Sequence, residues 1–343
     1  MKKISDFICR HRWAIVILSA ILLIPAALGY LATGVNYDLL VYLPSDIETL
    51  EGQEILTEEF GMGAFSVAVV EDMPQKELLQ LEAEIREVES VKQVLSIADL
   101  TGTTIPMDFL PSAVREKVTH DGTQLMIITF ADGTSDERTL AAVEEIRNIA
   151  GEKCLLGGMS AMVLDTKNLF NNEALLYVTI AVALSLVVLL LFLDSFLVPF
   201  LLLGSIGIAL AFNMGTNVFM GEISYITQAI SAVLQLGVTM DFSIFLYHKY
   251  EAAKKSEKDR LKAMSQAIQE TAASVLGSSL TTFSGFLALC TMSLTLGMDI
   301  GIVMAKGVLL GLICAITLFP ALLLVCDKWA EKTRHKALLP KFT

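Results

Sequence analysis

The stretch QLGVTMDFSIFLYHKYE, Gln235 to Glu251, places a carboxylate, Asp241, inside an apolar run long enough to cross a lipid bilayer. An ionisable group in the hydrocarbon core costs at least about 2.5 kcal/mol on insertion scales, so Asp241 is a functional candidate by default. It lies about six residues, roughly 9 Å, from the end of its span that carries Lys249. Snorkelling to that end competes with a functional role, but the short Asp stem reaches poorly, and Lys or Arg do this better. A neighbouring apolar run, TAASVLGSSLTTFSGFLALC, carries Ser278, Ser279, Thr281 and Thr282 about 9–15 Å from the same membrane face, level with Asp241. Hydroxyls at that depth can hydrogen-bond the carboxylate or hold water beside it. The same Ser/Thr/Gly cluster also suits close helix packing, with Gly277 and Gly285 as the contacts. A desolvated carboxylate beside hydroxyls and without a fixed cation can take up and release a proton. This is the elementary part of a proton-coupled machine, with the proton as coupling ion and no cofactor. The other buried charge, Lys306, stands about 9 Å from the opposite face, whereas Asp241 is about 25 Å from that face. No direct ion pair between them is expected, and snorkelling, pore lining and a part in coupling all stay open for Lys306.

These residues need helices in a membrane to position them. The chain has 343 residues, 54% of them hydrophobic, and a mean hydropathy of +0.62, too apolar for one soluble core. Six stretches meet the requirement of about 20 mostly apolar residues: Trp13 to Leu31, Ala174 to Leu193, Leu197 to Met214, Ile223 to Tyr247, Ala272 to Ser293 and Ile300 to Val325. The tight turn LDSF between the second and third makes them a helical hairpin. The only long polar region, Thr33 to Glu173, is large enough to be a domain. From Gly34 to Asn171 it holds 25 Asp+Glu and 9 Lys+Arg, a net charge of −16 against −12 for the whole chain, so the rest is net positive. The positive residues cluster before span one, between spans four and five, and after span six. The positive-inside rule makes those segments cytoplasmic and the acidic domain external, in agreement with six crossings. The expected divisions are 1–32 (cytoplasmic N-terminus and first helix), 33–173 (outer domain), 174–326 (five-helix bundle with a cytoplasmic loop over 248–271) and 327–343 (basic cytoplasmic tail). The initial apolar run of about 18 residues exceeds a signal h-region, and cleavage would leave an odd number of crossings, so it is read as an uncleaved helix.

Within the outer domain AFSVAVVE reads as a strand, QKELLQLEAEIREVE as a helix and VKQVLSIADL as a second strand. After a less regular stretch carrying DFLPSAVREKV the order recurs: TQLMIITFAD as a strand, SDERTLAAVEEIRNIA as an amphipathic helix with Ser135 as N-cap, and CLLGG as a short strand. This suits a ferredoxin-like antiparallel sheet with two helices on one face. The fold class is therefore an α-helical polytopic membrane protein, one helix plus five, with an α+β ferredoxin-like extracytoplasmic domain. The domain shows no nucleotide loop, metal-ligand spacing or Ser/His/Asp set, and GMG and LGGM read as turns. Its single cysteine, Cys154, rules out an internal disulfide there and reads as a structural residue.

LGVTMDFSIFLYHKYEA, followed by GSSLTTFSGFLAL and KGVLLGLICAITLFPALLLVCD, resembles the MMPL branch of the resistance-nodulation-division transporters. The layout of one helix, an outer porter domain and five helices is similar too. The carrying motif is Gly-x-x-x-Asp-aromatic, here Gly237, Asp241 and Phe242, joined to the Ser/Thr-rich fifth span. The resemblance implies proton-driven export of lipids or other hydrophobic and amphiphilic compounds, with Asp241 as proton carrier, in a multi-pass protein of the cell membrane that is not an enzyme. Two departures stand out. Members usually carry Tyr after the aspartate, whereas Phe242 donates no hydrogen bond. Members are also commonly built of two six-helix units, so the implied partner is a second half, either a second copy or a covalent continuation. No nucleic-acid partner is expected. Rival readings are a sterol-sensing scaffold and an accessory protein-translocation motor of the same superfamily. An intramembrane aspartyl protease would need a second carboxylate at the depth of Asp241, and Asp194 and Asp299 lie at helix ends.

Overall fold

In the computed structural model, residues 1–59, 63–71, 73–96, 119–120 and 123–334 are described. The expected DFLPSAVREKV segment, most of the GMG turn, the end of the second strand and the last residues of the basic tail lie outside them. The chain divides into two compact units, Tyr37–Asn172 and Met1–Asn36 with Glu173–Thr343.

The first unit is built on four main strands, β2 (Ala64–Val70), β3 (Val91–Ser96), β5 (Thr123–Phe130) and β6 (Cys154–Gly157), in the spatial order β3-β5-β2-β6. All pairings are antiparallel, and the two-residue strand β4 (Thr119–His120) extends the pairing of β5. The order of the four main strands is that of a ferredoxin-like sheet, as read from the strand-helix alternation. Helices α4 (Gln75–Arg86) and α5 (Glu137–Ala150) supply the apolar stripes that cover it. Leu78, Ile85, Val143 and Ile146 close over Ala68, Met126, Ile128 and Phe130, all at most 1% exposed. The core exists because β2 alternates buried and open positions, so one face of the pleat is apolar throughout. The N-cap of α5 is Asp136, not the expected Ser135: its carboxylate accepts the Arg138 N–H at 2.9 Å, one residue further along. A further helix, α3 (Glu48–Glu58), buries none of its residues. Gly158, in the LGGM turn, has φ +100°, and a Cβ there would stand 3.0 Å from Ser66 Cα, so this turn requires glycine.

Among the described residues, the second unit holds six helices long and apolar enough to cross a membrane. They are α2 (Arg12–Ala32), α6 (Met159–Phe192, which begins in the first unit), α7 (Leu197–Gly215), α8 (Tyr225–Ser256), α9 (Arg260–Leu289), and α10 (Thr295–Ile316) continued by α11 (Leu318–Lys332). A short helix α1 (Lys2–Arg10) precedes them. The sixth span breaks at Thr317 because Pro320 lacks the N–H that would bond the Ile316 carbonyl, and its ring crowds that group. The polar loop expected over 248–271 is a correction: α8 runs to Ser256 and α9 starts at Arg260, so only Glu257–Asp259 interrupts the helix. The Lys, Glu, Ala, Gln and Met residues there are good helix formers, and Asp259 caps α9 through the Leu261 N–H at 2.9 Å. Helices thus project beyond the apolar windows that hydropathy detects.

Small residues set the closest crossings. A Cβ on Gly29 of α2 would fall 2.1 Å from the Gly215 carbonyl oxygen of α7. The strands β1 (Gly34–Asn36) and β7 (Glu222–Ser224) pair in parallel and tie the end of α2 to the start of α8.

Candidate functional site

Helices α8 and α9 lie antiparallel, joined by the short turn at Glu257–Asp259, and a cleft of about 560 Å³ opens between them. On α8 it is lined by Val238, Asp241, Phe245 and His248, one face at helical spacing; on α9 by Ser274, Ser278 and Thr282, each four residues from the next. Asp241 points into this cleft and is exposed within the chain, and among the described residues no hydrogen bond or ion pair reaches its carboxylate.

The hydroxyls expected beside Asp241 separate into two groups. Ser278 and Thr282 line the cleft with it. Ser279 is buried and donates to its own helix, to the Val275 carbonyl at 2.6 Å, and Thr281 bonds the Ser278 carbonyl at 2.7 Å. Thr282 also donates to the Ser278 carbonyl, at 3.1 Å, so its hydroxyl oxygen stays free to accept from water in the cleft. Phe242 is 5% exposed and packs with Val275, Leu312 and Ala315, wedging α8, α9 and α10 together. Gly277 and Gly285, expected as packing contacts, would meet no atom within 4 Å if given a Cβ, and the same is true of Gly237. Their faces are turned away from this chain's own helices, and close packing falls to other glycines.

Those are Gly307 and Gly311 of α10. A Cβ on Gly307 would sit 2.6 Å from Asn213 Nδ2, and one on Gly311 2.2 Å from Thr239 Cγ2. The approach brings a buried polar seam together that sequence reasoning missed. Asn213 of α7 donates to Gln235 Oε1 of α8 at 2.9 Å, and Gln235 Nε2 donates to the Gly307 carbonyl at 3.3 Å. Thr227, Ser231, Gln235, Thr239 and Ser243 form one stripe along α8, each at most 1% exposed. Their spacing of four in an otherwise apolar span was the available signal. Lys306 belongs to this side of the bundle: its ammonium donates to Asn217 Oδ1 at 2.5 Å, and no ion pair joins it to Asp241 among the described residues. Asp299 accepts from the Ser224 N–H at 2.8 Å and the Thr227 hydroxyl at 2.5 Å, capping α8, where the helix dipole favours a negative charge.

At the opposite end of the bundle Asp327, 3% exposed, takes the Tyr250 hydroxyl at 3.2 Å, the Lys254 ammonium at 3.4 Å and the Arg260 guanidinium at 2.7 Å. Glu331 binds both cations, at 3.0 and 2.6 Å, so α8, α9 and α11 end in one ionic cluster.

A bundle of six membrane-crossing helices with a ferredoxin-like domain inserted after the first, and a lone carboxylate in a cleft of the fourth, defines a polytopic membrane protein of the resistance-nodulation-division type. The chain belongs to the MMPL family, which it matches over residues 42–341. It is similar to the apo-petrobactin exporter of Bacillus anthracis, 23% identical over 96% of this chain and 44% of that protein. The putative membrane protein SCO5905 of Streptomyces coelicolor is 29% identical over 65% of this chain and 29% of its own length. The putative membrane protein MJ1562 of Methanocaldococcus jannaschii is 23% identical over 74% of this chain and 71% of its own. The chain thus spans less than half the length of the first two of these relatives. The crystal structure of SecDF, a translocon-associated membrane protein from Thermus, superposes with a TM-score of 0.51 at 15% identity over 94% of this chain and 38% of that one, a likeness of fold.

Proposed function

We propose that this chain is one half of an exporter that uses the proton-motive force to move lipids or other hydrophobic and amphiphilic compounds across the cell membrane, with Asp241 as its proton carrier. The observation that carries the reading is the Asp241 carboxylate, without a hydrogen-bond or ion-pair partner among the described residues, facing a cleft shared with Ser278 and Thr282 inside membrane-crossing helices. Protonated, the group is a neutral donor that costs the bilayer core little; ionised, it draws Ser278, Thr282 or water toward it. The two states favour different packing of α8 against α9, and that difference is what transmits proton passage to the rest of the molecule. Lys306, held by Asn217, lies outside this cleft and supports the packing of α10 rather than carrying the proton.

The positive-inside rule supports a reading in which both termini are cytoplasmic and the acidic unit is external. The open faces of Gly237 on α8 and of Gly277 and Gly285 on α9 suit coverage by a second six-helix half, a second copy or a covalent continuation, about a pseudo-twofold axis normal to the membrane. The names of relatives such as the apo-petrobactin exporter support export as the direction. In proteoliposomes with an imposed pH gradient, Asp241→Asn should insert and fold as wild type yet lose proton-coupled transport, and Asp241→Glu should keep part of it with a shifted pH optimum. Transport by Asp241→Asn at the wild-type rate would falsify the assignment.

A further inference from the structure

His248 stands seven residues beyond Asp241 on the same face of α8, two turns or roughly 10.5 Å toward the basic end of the helix, and lines the same cleft. The wall contributed by α9 is hydroxylic, with Ser278 level with Asp241 and Ser274 one turn nearer the basic end. The cleft, at about 560 Å³, has room for a chain of waters, each of which occupies about 30 Å³ in the liquid. Imidazole can accept a proton on one nitrogen and release one from the other near neutral pH.

We propose that His248 is the cytoplasmic proton-transfer group for Asp241, an inference that rests on the proton-carrier reading above. The O–H bond of the protonated Asp241 carboxyl breaks and its proton passes along water held by Ser278 and Ser274. An N–H bond then forms on the imidazole, which gives one proton to the cytoplasm, so one proton enters and one leaves.

Charged groups on the neighbouring elements have partners of their own. Lys249, the neighbour of His248 on α8, pairs with Glu270 of α9 at 3.6 Å. Glu251, Lys254, Arg260, Asp327, Glu331 and Arg334 are bound into the ionic cluster on the Tyr250 side, half a helical turn round from His248. Helix α7 carries no charged residue, and α10 has only Asp299 and Lys306, at its other end, besides the Cys314 thiol. Of the side chains that line the cleft, imidazole is the one, besides the Asp241 carboxyl it would serve, whose chemistry lets it both accept and release a proton near neutral pH.

The test uses the protein in liposomes loaded with a pH-reporting dye, under an imposed pH gradient, with the flux that Asp241→Asn abolishes taken as the Asp241-dependent flux. His248→Ala should lower this flux about a hundredfold, the low end of what a positioned acid-base group supplies. Added imidazole, which fits the space vacated in the cleft, should restore it. His248→Gln should lower it as well but resist rescue, because its side chain fills that space. Wild-type flux in an inserted His248→Ala or His248→Gln protein overturns the proposal, and so does a loss in His248→Ala that imidazole leaves unchanged. Should His248→Ala fail to insert, His248→Gln decides alone. If Asp241→Asn itself carries wild-type flux, the carrier reading falls and the His248 role with it, an outcome distinct from failure at His248 alone.

Discussion

Asn213 and Gln235, both fully buried among the membrane-spanning helices, hold each other by a 2.9 Å hydrogen bond from Asn213 Nδ2 to Gln235 Oε1. The pair joins α7 to α8, and Gln235 passes the link on to the Gly307 carbonyl of α10. Hydrogen bonds between membrane helices contribute about 0.6 kcal/mol on average and up to about 1.7. A double-mutant cycle with Asn213→Ala and Gln235→Ala should therefore show a coupling of about 0.6–1.7 kcal/mol in reversible unfolding in detergent or bicelles. Additivity of the two losses would mean that the bond contributes nothing.

Gly311 and Gly285 should respond oppositely to the same substitution. A methyl group at Gly311 meets Thr239 Cγ2 at 2.2 Å, so Gly311→Ala must push α10 from α8. Overpacking of this kind costs about 1–3 kcal/mol and should lower the melting temperature of the purified chain. Gly285→Ala meets nothing within 4 Å and should leave that melting temperature unchanged. Equal shifts for the two variants would contradict the helix crossings described.

Removing Asp327 should loosen the end of the bundle. Its carboxylate is buried and faces Lys254 and Arg260, whose own side chains are 16% and 40% exposed. Breaking a buried ion pair from one side costs about 3–5 kcal/mol, and solvent around Arg260 reduces this to about 2. Asp327→Ala should therefore speed hydrogen exchange at the ends of α8 and α11, whereas Glu270→Ala, at a half-exposed pair, should not. Unchanged exchange in Asp327→Ala would show the cluster to be ornamental.

Cys154 should be chemically silent in the folded protein. It is 7% exposed on β6, and burial pushes its thiol above the ordinary range, so the thiolate that reacts is scarce at neutral pH. Maleimide labelling at Cys154 should proceed only after unfolding of the outer unit; rapid labelling of native protein at pH 7 would place this strand edge in solvent.

Much of the architecture was legible because membranes leave few choices. A run of about 20 apolar residues must satisfy its backbone within a helix, so six spans follow from hydropathy, and the strand-helix alternation identified the ferredoxin-like sheet. Counting residues from a shared membrane face also placed Asp241 level with Ser278 and Thr282, since two helices joined by a tight turn run antiparallel at 1.5 Å per residue.

Depth is one coordinate, and rotation about the helix axis is another that only packing decides. At 100° per residue Ser278 and Ser279 face different neighbours, which is why one lines the cleft and the other bonds its own backbone. The sequence shows that glycines are numerous in the spans, but whether a given one is a crossing point depends on which helix lies opposite: Gly307 and Gly311 meet α7 and α8, and Gly285 meets no described residue of this chain. The Asn213–Gln235–Gly307 seam joins positions 72 and 22 residues apart along the chain, and such partners become neighbours only when three helices have settled into one register. Residue types fix what each side chain can donate or accept, and tertiary packing decides which partner it meets.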